Sequence, residues 1–117
     1  MFTYGCEITY VVDGDTCDVT IDLGFKIEHK ARVRLYGINT PETRTRDKEE
    51  KYRGLQAKAR FTELVREKEI RLVSHDKGKY GRVLGEILVE RGEEWVSVNK
   101  QLIKEGHAVE YFGGKRR

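Results

Sequence analysis

Apolar and polar residues alternate along two neighbouring segments of this chain, and this alternation constrains the fold more than any other feature. Over Tyr4 to Val12 the apolar residues occupy even positions, and after Asp13-Gly14 they move to odd positions. A period of two is typical of a strand with one buried face, and a two-residue turn joins antiparallel strands. The two segments therefore predict a β-hairpin that turns at Asp13-Gly14, with Tyr10 opposite Cys17 and Cys6 opposite Ile21.

The segment from Phe25 to Leu35 continues the alternation and predicts a third strand on the hairpin. Basic residues occupy positions between its apolar ones, so one face of this strand carries a basic stripe. A solvated face is the simpler interpretation of the stripe, and a groove for phosphate is the alternative. The stripe consists of Lys26, Lys30 and Arg32.

The pattern then changes from the period of a strand to that of a helix. Thr43 to Lys51 contains no apolar residue, which predicts a solvated loop that either closes over a substrate or has no function. From Tyr52 onward the apolar residues recur at helical spacing, and we expect this helix to end near Lys68. The helical apolar positions are Ala57, Phe61, Leu64 and Val65.

Further strands and a short helix follow. Ile70–Val73 and Val83–Val89 read as strands, and Trp95-Val96 continues a hairpin around Arg91-Gly92. Ser97 is an N-cap residue for a second helix that Gly106 closes. The predicted fold class is α+β and mainly β, a five-stranded barrel with two helices that forms a single domain over residues 1–117.

Composition excludes several classes of protein. The net charge of +3 and the 38% of hydrophobic residues are typical of globular proteins, and no apolar run approaches the roughly 20 residues of a membrane span. No basic and apolar leader follows Met1, so a cytoplasmic or host-cell location is expected rather than secretion. Cys6 and Cys17 would lie several residues out of register with each other in the predicted hairpin, so we expect both to be free thiols. We expect a monomer with no membrane partner.

Two short segments carry oxygen ligands on turns. Asp13-Gly14-Asp15-Thr16 places two carboxylates around a tight turn, which suits Ca²⁺ or Mg²⁺ but equally serves as a plain hairpin turn. In Asn39-Thr40-Pro41-Glu42 the proline predicts a turn that directs a carboxylate and an amide out of the barrel end. Alone, each segment is most simply a turn.

Two arginines and one carboxylate change that interpretation. Arg34 lies on the polar strand face, Glu42 follows eight residues later, and Arg82 precedes another strand. Guanidinium groups bind phosphate with two parallel hydrogen bonds and stay charged at any working pH. Together these residues describe a site for a phosphodiester.

Taken together, these motifs make the chain resemble the staphylococcal-nuclease-like, or thermonuclease, family. The matching stretches are 12–16, 32–42 and 79–82, together with Val98-Asn99 and Gly106. Their order and approximate spacing agree with the family across nearly all of the chain. The resemblance implies an OB-type five-stranded barrel with helices.

The resemblance also implies roles for individual residues. Glu42 corresponds to the carboxylate that activates or orients the attacking water, and Arg34 and Arg82 to the two arginines that hold the phosphate. The implied metal ligands are Asp15, Asn39 and the backbone carbonyl of Thr40, with Asp13 in the outer shell. The implied substrate-binding residues are Lys79, Tyr80 and either Tyr111 or Phe112.

The implied activity is a Ca²⁺-dependent endonuclease that hydrolyses DNA and RNA, prefers single strands and leaves 3′-phosphate ends. Asn39 departs from the family, whose best-known members have an aspartate there, so we expect weaker Ca²⁺ binding. The alternative is a binding module for nucleic acid or protein on the same fold. Retention of Arg34, Glu42 and Arg82 together favours the enzyme.

Overall fold

The fold is described from a computed structural model, which covers residues 2–77 and 81–113. Eight strands and two helices follow one another in the described residues. Their bounds are β1 Phe2–Asp13, β2 Thr16–Asp22, β3 Glu28–Leu35, β4 Ile38–Asn39, α1 Lys48–Val65, β5 Ile70–Lys77, β6 Val83–Arg91, β7 Glu94–Ser97, α2 Val98–Lys104 and β8 Val109–Glu110.

Five of the strands form a closed barrel. The main sheet has the order β3-β2-β1-β5-β6-β7, and a parallel pairing of Val33–Leu35 with Val83–Gly85 joins β3 to β6 and closes the ring. β7 extends the sheet beyond β6, while β4 and β8 form a separate two-stranded ribbon. This architecture confirms the predicted mainly β, five-stranded OB-type barrel with two helices.

The first hairpin forms as predicted, but two irregularities alter its register. Cys6 lies opposite Ile21, whereas Tyr10 lies opposite Asp18 and not Cys17, because register shifts occur within β1. A bulge adds one residue to one strand and reverses the faces of the residues that follow. Tyr10 is therefore 58% exposed and Val11 packs on the core instead. The turn residues are Gly14-Asp15, so the predicted turn at Asp13-Gly14 was displaced by one position.

The third strand is shorter than predicted. β3 begins at Glu28, and Phe25 lies in the turn before it, where its side chain is 97% exposed. The alternation of apolar residues through Phe25 and Ile27 suggested a buried face, yet this part of the hairpin extends beyond the core. Only Ala31, Val33 and Leu35 of the alternating set pack on or within the core.

The long helix starts inside the segment that was predicted to be a loop. α1 begins at Lys48 because the Asp47 carboxylate caps it, accepting hydrogen bonds from the backbone N–H groups of Glu49 and Glu50. The helix ends at Val65, slightly before the predicted end at Lys68. A polar first turn was therefore misread as irregular structure.

Close contacts attach α1 to the barrel end. A Cβ atom on Gly54 would lie 2.6 Å from the carbonyl oxygen of Glu42, and one on Gly14 would lie 2.7 Å from the Cβ of Ala57. Such distances are too short for any side chain larger than hydrogen. The glycines let the helix backbone approach the β1–β2 turn and the Pro41–Glu42 segment.

The second helix begins and ends where the sequence predicted. The Ser97 hydroxyl caps it by accepting from the Lys100 N–H, and Gly106 follows it with a φ of +82°. Buried Asn99 donates to the carbonyls of Tyr36 and Gly85 and accepts from the Ile87 N–H. Asn99 thereby joins α2 to β6 and to the end of β3. Both cysteines are free thiols, as expected.

Candidate phosphodiester site at the barrel end

Asp15 lies in the β1–β2 turn, is 8% exposed and makes contacts with three parts of the chain. Its Oδ2 accepts from the Thr40 N–H at 3.0 Å, and its Oδ1 accepts from the Thr16 hydroxyl at 3.0 Å. Its backbone carbonyl accepts from the Leu35 N–H at 2.8 Å. These bonds hold the Asp15 carboxylate between the end of β3 and the segment after β4.

Arg34 lies beside this carboxylate. Its Nη2 is 3.5 Å from Asp15 Oδ2 and donates to Asn39 Oδ1 at 3.3 Å, while its Nη1 donates to the Leu35 carbonyl at 3.0 Å. The Arg34 side chain is 16% exposed, so these contacts are sheltered from water. Charge-assisted hydrogen bonds are stronger in such a sheltered position than in water. We call Asp15, Arg34, Asn39 and Thr40 the Asp15 cluster.

Glu42 is connected to the Asp15 cluster through Pro41 and to the helix through its backbone. Its N–H donates to Glu50 Oε2 at 3.1 Å, and its carbonyl lies against Gly54 of α1. The residue itself is exposed. Helix α1 therefore sets the path of the backbone that carries Glu42.

Asp13, the predicted outer-shell carboxylate, also contacts this segment. The Thr43 hydroxyl donates a short hydrogen bond to Asp13 Oδ1. The contact ties the segment after Glu42 to the end of β1. Asp13 therefore makes a structural contact, and its outer-shell role stays a prediction.

The other predicted site residues are placed by strand pairing. Arg82 directly precedes Val83, which pairs with Val33 of β3, so its backbone lies alongside the strand that carries Arg34. The Tyr111 N–H donates to the Gly37 carbonyl at 2.8 Å, in the turn between Arg34 and Asn39. Lys79 and Tyr80 lie outside the described residues.

The Asp15 cluster contains oxygen atoms of the kind that hard cations bind, but two of them already contact the Arg34 guanidinium. A carboxylate oxygen of Asp15 and the amide oxygen of Asn39 both lie within 3.5 Å of one guanidinium nitrogen, so the two oxygens converge on a positive charge. Ca²⁺ takes six to eight oxygens in most protein sites. Within residues 2–77 and 81–113, no group of three His, Cys, Asp or Glu side chains could hold a metal ion.

Sequence reasoning missed two features near this end of the barrel. Glu50 was assigned to a loop, although Asp47 with an acid three residues later is the pattern of a helix start. The ring of Tyr36 stacks on His75 with 4.2 Å between centroids and meets the edge of Phe112 at 5.6 Å. No local pattern could reveal that cluster, because its rings come from three distant segments.

The chain is similar to one protein family and to several individual proteins. The family described as "Staphylococcal nuclease homologue" matches residues 32–117, about three quarters of the chain. Protein ParB of Escherichia coli is 30% identical over 93% of this chain and 59% of its own length. Micrococcal nuclease of Shigella flexneri is 27% identical, over 90% of this chain and 57% of its own length.

A plant protein extends the comparison. "Probable staphylococcal-like nuclease CAN1" of Oryza sativa subsp. japonica is 32% identical over 75% of this chain and 24% of its own length. The chain thus spans less than two thirds of the length of each of these relatives. The match of the family over residues 32–117 includes Arg34, Asn39, Thr40, Glu42 and Arg82. The chain belongs to the staphylococcal nuclease homologue family, and this membership supports a nuclease-like function.

Proposed function

We propose that this chain is a Ca²⁺-dependent endonuclease that hydrolyses phosphodiester bonds of DNA and RNA and leaves 3′-phosphate ends. The observation that carries the proposal is the position of Arg34, whose guanidinium is oriented by Asp15 and Asn39 at the end of the barrel. A guanidinium oriented before the substrate binds stabilises the charge that develops on phosphorus without a reorganisation cost.

The remaining roles follow from the backbone. Arg82, which directly precedes the strand paired with that of Arg34, would contribute a second guanidinium to the same phosphate. Glu42 would accept a proton from the attacking water or orient it, which requires its carboxylate within hydrogen-bond reach of that water. The contact of α1 with the Glu42 backbone limits where this carboxylate can reach.

Asp15, Asn39 and the Thr40 carbonyl would hold Ca²⁺ in this proposal. When bound, the ion would neutralise charge on a phosphate oxygen. Because only one of these three ligands is a carboxylate, we expect weak binding of the ion. Arg34 provides a fixed positive charge beside these ligands.

Digestion of denatured DNA tests the proposal. Purified protein with Ca²⁺ should degrade the DNA, a chelator should stop the reaction, and the products should accept polymerase extension only after phosphatase treatment. Arg34→Ala, Arg82→Ala and Glu42→Gln should each lower turnover at least about a hundredfold. Near-normal digestion by one variant would remove that residue from the mechanism. Binding of DNA by the wild type without degradation would favour a binding module.

A further inference from the structure

Backbone strain in this molecule is concentrated at one end of the barrel. Among the residues that the structure describes, the non-glycine residues with a positive φ are Phe25, Lys26 and Glu67, at +54°, +63° and +56°. Phe25 and Lys26 form the tip of the β2–β3 hairpin, and Glu67 lies in the turn between α1 and β5. The two places share an end of the barrel because Cys6 of β1 pairs with the end of β2 and with the start of β5. Side chains make a positive φ costly, and such strain recurs at binding surfaces.

The hairpin tip, residues 23–27, presents apolar side chains to solvent. Phe25 is 97% exposed, and Leu23 and Ile27 are 46% and 55% exposed. The Phe25 ring therefore gains no burial that would offset the cost of its backbone conformation. Neighbouring apolar side chains that are all exposed indicate a surface that a partner covers.

A groove lies beside the hairpin tip. It has a volume of about 1060 Å³ and is lined on one side by Asp22 and Glu28 of the hairpin and on the other by residues 66–69, in the turn after α1. β1 lies between these two walls in the sheet and contributes Cys6 and Ile8, whose side chains also pack on the core. The groove therefore combines an apolar floor with charged walls.

The two walls carry charges that a single molecule leaves without ion pairs. Asp22 and Glu28 lie directly opposite each other at the neck of the hairpin, which makes this wall acidic. Arg66 and Lys68 are exposed on the other wall, where they alternate with two glutamates. None of these four named side chains forms an ion pair with another residue of the ranges 2–77 and 81–113. In two molecules related by a two-fold axis, the acidic neck of one copy can face the basic side chains of the other, and the glutamates can face Lys26 of the tip.

We propose that two copies of this chain form a symmetric dimer in which the hairpin tip of each copy occupies the groove of the other. Because the tip and the groove adjoin, one two-fold axis can make both contacts with a single continuous surface. A buried Phe side chain covers about 150–250 Å². With Leu23, Ile27 and the groove surface that they cover, the total for the dimer approaches about 1,200 Å², the lower limit for a specific interface. This dimer departs from the monomer expected from the sequence.

The dimer leaves the Asp15 cluster open. The pairing of β2 with β3 starts with Thr16 opposite Arg34 and ends with Asp22 opposite Glu28. At about 3.3 Å per residue, the strand from Thr16 to Asp22 spans roughly 20 Å. The interface and the phosphodiester site therefore lie at opposite ends of the hairpin, and the dimer does not depend on the proposed function.

Sedimentation equilibrium at protein concentrations from about 1 μM to about 1 mM tests the dimer. The average mass of the wild type should rise toward twice that of the monomer. Phe25→Asn should weaken the dimer at least about tenfold, because an aromatic anchor is lost from each contact. Asn tolerates a positive φ, so the turn itself is kept.

A charge exchange tests whether the neck of one copy faces the groove wall of the other. Lys68→Glu and Glu28→Lys should each weaken the dimer several-fold, since like charges then meet across the interface. The double variant should regain most of the affinity of the wild type, because the two charges again have opposite signs.

Matched variants control for surface chemistry and folding. Phe2→Asn removes another exposed aromatic ring, and Lys100→Glu makes a charge reversal at an exposed position of α2. Both positions lie outside the tip and the groove, so both variants should form the dimer like the wild type. At a concentration where the wild type is monomeric, the thermal unfolding midpoint of Phe25→Asn should be no lower than that of the wild type. Weaker association of this variant would then not reflect unfolding.

The contrary results are equally distinct. A wild type that keeps the monomer mass through the whole concentration series would overturn the inference, as would a Phe25→Asn variant that associates like the wild type. If the double variant associated no better than the two single variants, the tip would not lie in the groove of the other copy. Loss of binding to anionic vesicles in Phe25→Asn, with the wild type monomeric in solution, would assign the tip to a membrane surface instead.

Discussion

At the scale of single residues, Arg34 is where the charges of the site converge. Its guanidinium contacts the Asp15 carboxylate and the Asn39 amide, which come from the β1–β2 turn and from β4. The sequence motifs, through the family resemblance that they carry, predicted these residues as site members. The hydrogen bonds among them could not be predicted, since they depend on how distant turns meet.

Replacing Arg34 by lysine separates charge from geometry. Lys keeps the positive charge but lacks the planar fork that contacts Asn39 and the Leu35 carbonyl together. We expect Arg34→Lys to lower kcat on denatured DNA by about a hundredfold while changing KM far less. Full activity of Arg34→Lys would show that charge alone suffices.

Replacing Asn39 by aspartate should strengthen Ca²⁺ binding. The second carboxylate would lie where the amide oxygen now lies, beside Asp15, and would raise Ca²⁺ affinity about tenfold or more. Calorimetric titration and the Ca²⁺-dependent rise in the thermal unfolding midpoint both measure this directly. Asn39→Ala is the control and should bind the ion more weakly than the wild type. Equal affinity of Asn39→Asp and wild type would exclude residue 39 as a ligand.

At the scale of elements, α1 positions the backbone of Glu42. The helix was predicted from Phe61 and its apolar neighbours, but its true start at Lys48 was missed because the first turn contains only polar residues. Helix starts of this type depend on capping bonds and not on periodicity. The predicted starts of β5 at Ile70 and of β6 at Val83 agree with the structure, but β5 continues to Lys77 beyond its predicted end at Val73. The tip of the β2–β3 hairpin, which extends beyond the core, was also predicted wrongly.

Gly54→Ala tests the contact between α1 and Glu42. Alanine normally stabilises a helix interior by up to about 1 kcal/mol relative to glycine. Here the new methyl would lie 2.6 Å from the Glu42 carbonyl oxygen, so we expect a loss of about 1–3 kcal/mol in the free energy of unfolding. Nuclease activity should fall with it because Glu42 must move. Gly5→Ala, where nothing lies within 4 Å, is the control for urea unfolding.

Acid should weaken the link between the two helices. Arg60 donates to both carboxylate oxygens of Glu105, at 2.6 and 2.9 Å, and Gln101 also donates to Glu105. The hydrogen bond from Arg60, followed by that from Gln101, lowers the pKa of Glu105 to about 2. A depressed carboxyl pKa contributes stability above the unfolded pKa of about 4.5, and this contribution is lost as the pH falls toward about 2.

Urea unfolding at neutral pH and near pH 3 measures this effect. The wild type should be more stable than Glu105→Gln at neutral pH. The difference should shrink near pH 3, because the unfolded state then binds a proton on Glu105 that the folded state, with its lower pKa, mostly does not. Glu63→Gln is the control, because Glu63 is 69% exposed and makes one contact with Arg60. If the difference in the free energy of unfolding between the wild type and Glu105→Gln did not change with pH, the packing of the side chain and not its charge would explain it.

At the scale of the whole molecule, the parallel pairing of β3 with β6 determines the fold. The strands and helices could be predicted one by one, and the barrel followed from their order with the family resemblance. The pairing of Val33 with Val83 could not be predicted, because local periodicity contains no information on contacts between distant strands. No helix in the described ranges is long and apolar enough to cross a membrane.

Asn99→Ala tests how the closed barrel is held together. The variant would leave the Tyr36 and Gly85 carbonyls and the Ile87 N–H without their bonds to Asn99. The Gly85 carbonyl keeps the hydrogen bond from the Tyr36 N–H, so two buried groups lose a bond without that replacement. At about 1–3 kcal/mol for each, we expect a loss of roughly 2 kcal/mol or more in the free energy of unfolding. Lys100→Ala, at an exposed neighbouring position, should unfold in urea like the wild type.

The closure between β3 and β6 also affects the protein while it is being synthesised. Val83 follows Val33 by about 50 positions, so the ribosome adds all of α1 and β5 before β3 has its second partner. Until then the nascent chain exposes an unpaired strand edge, which is the kind of surface that chaperones bind and that aggregates. Translation pauses between residues 36 and 82 should therefore lower the yield of folded protein more than pauses after residue 91.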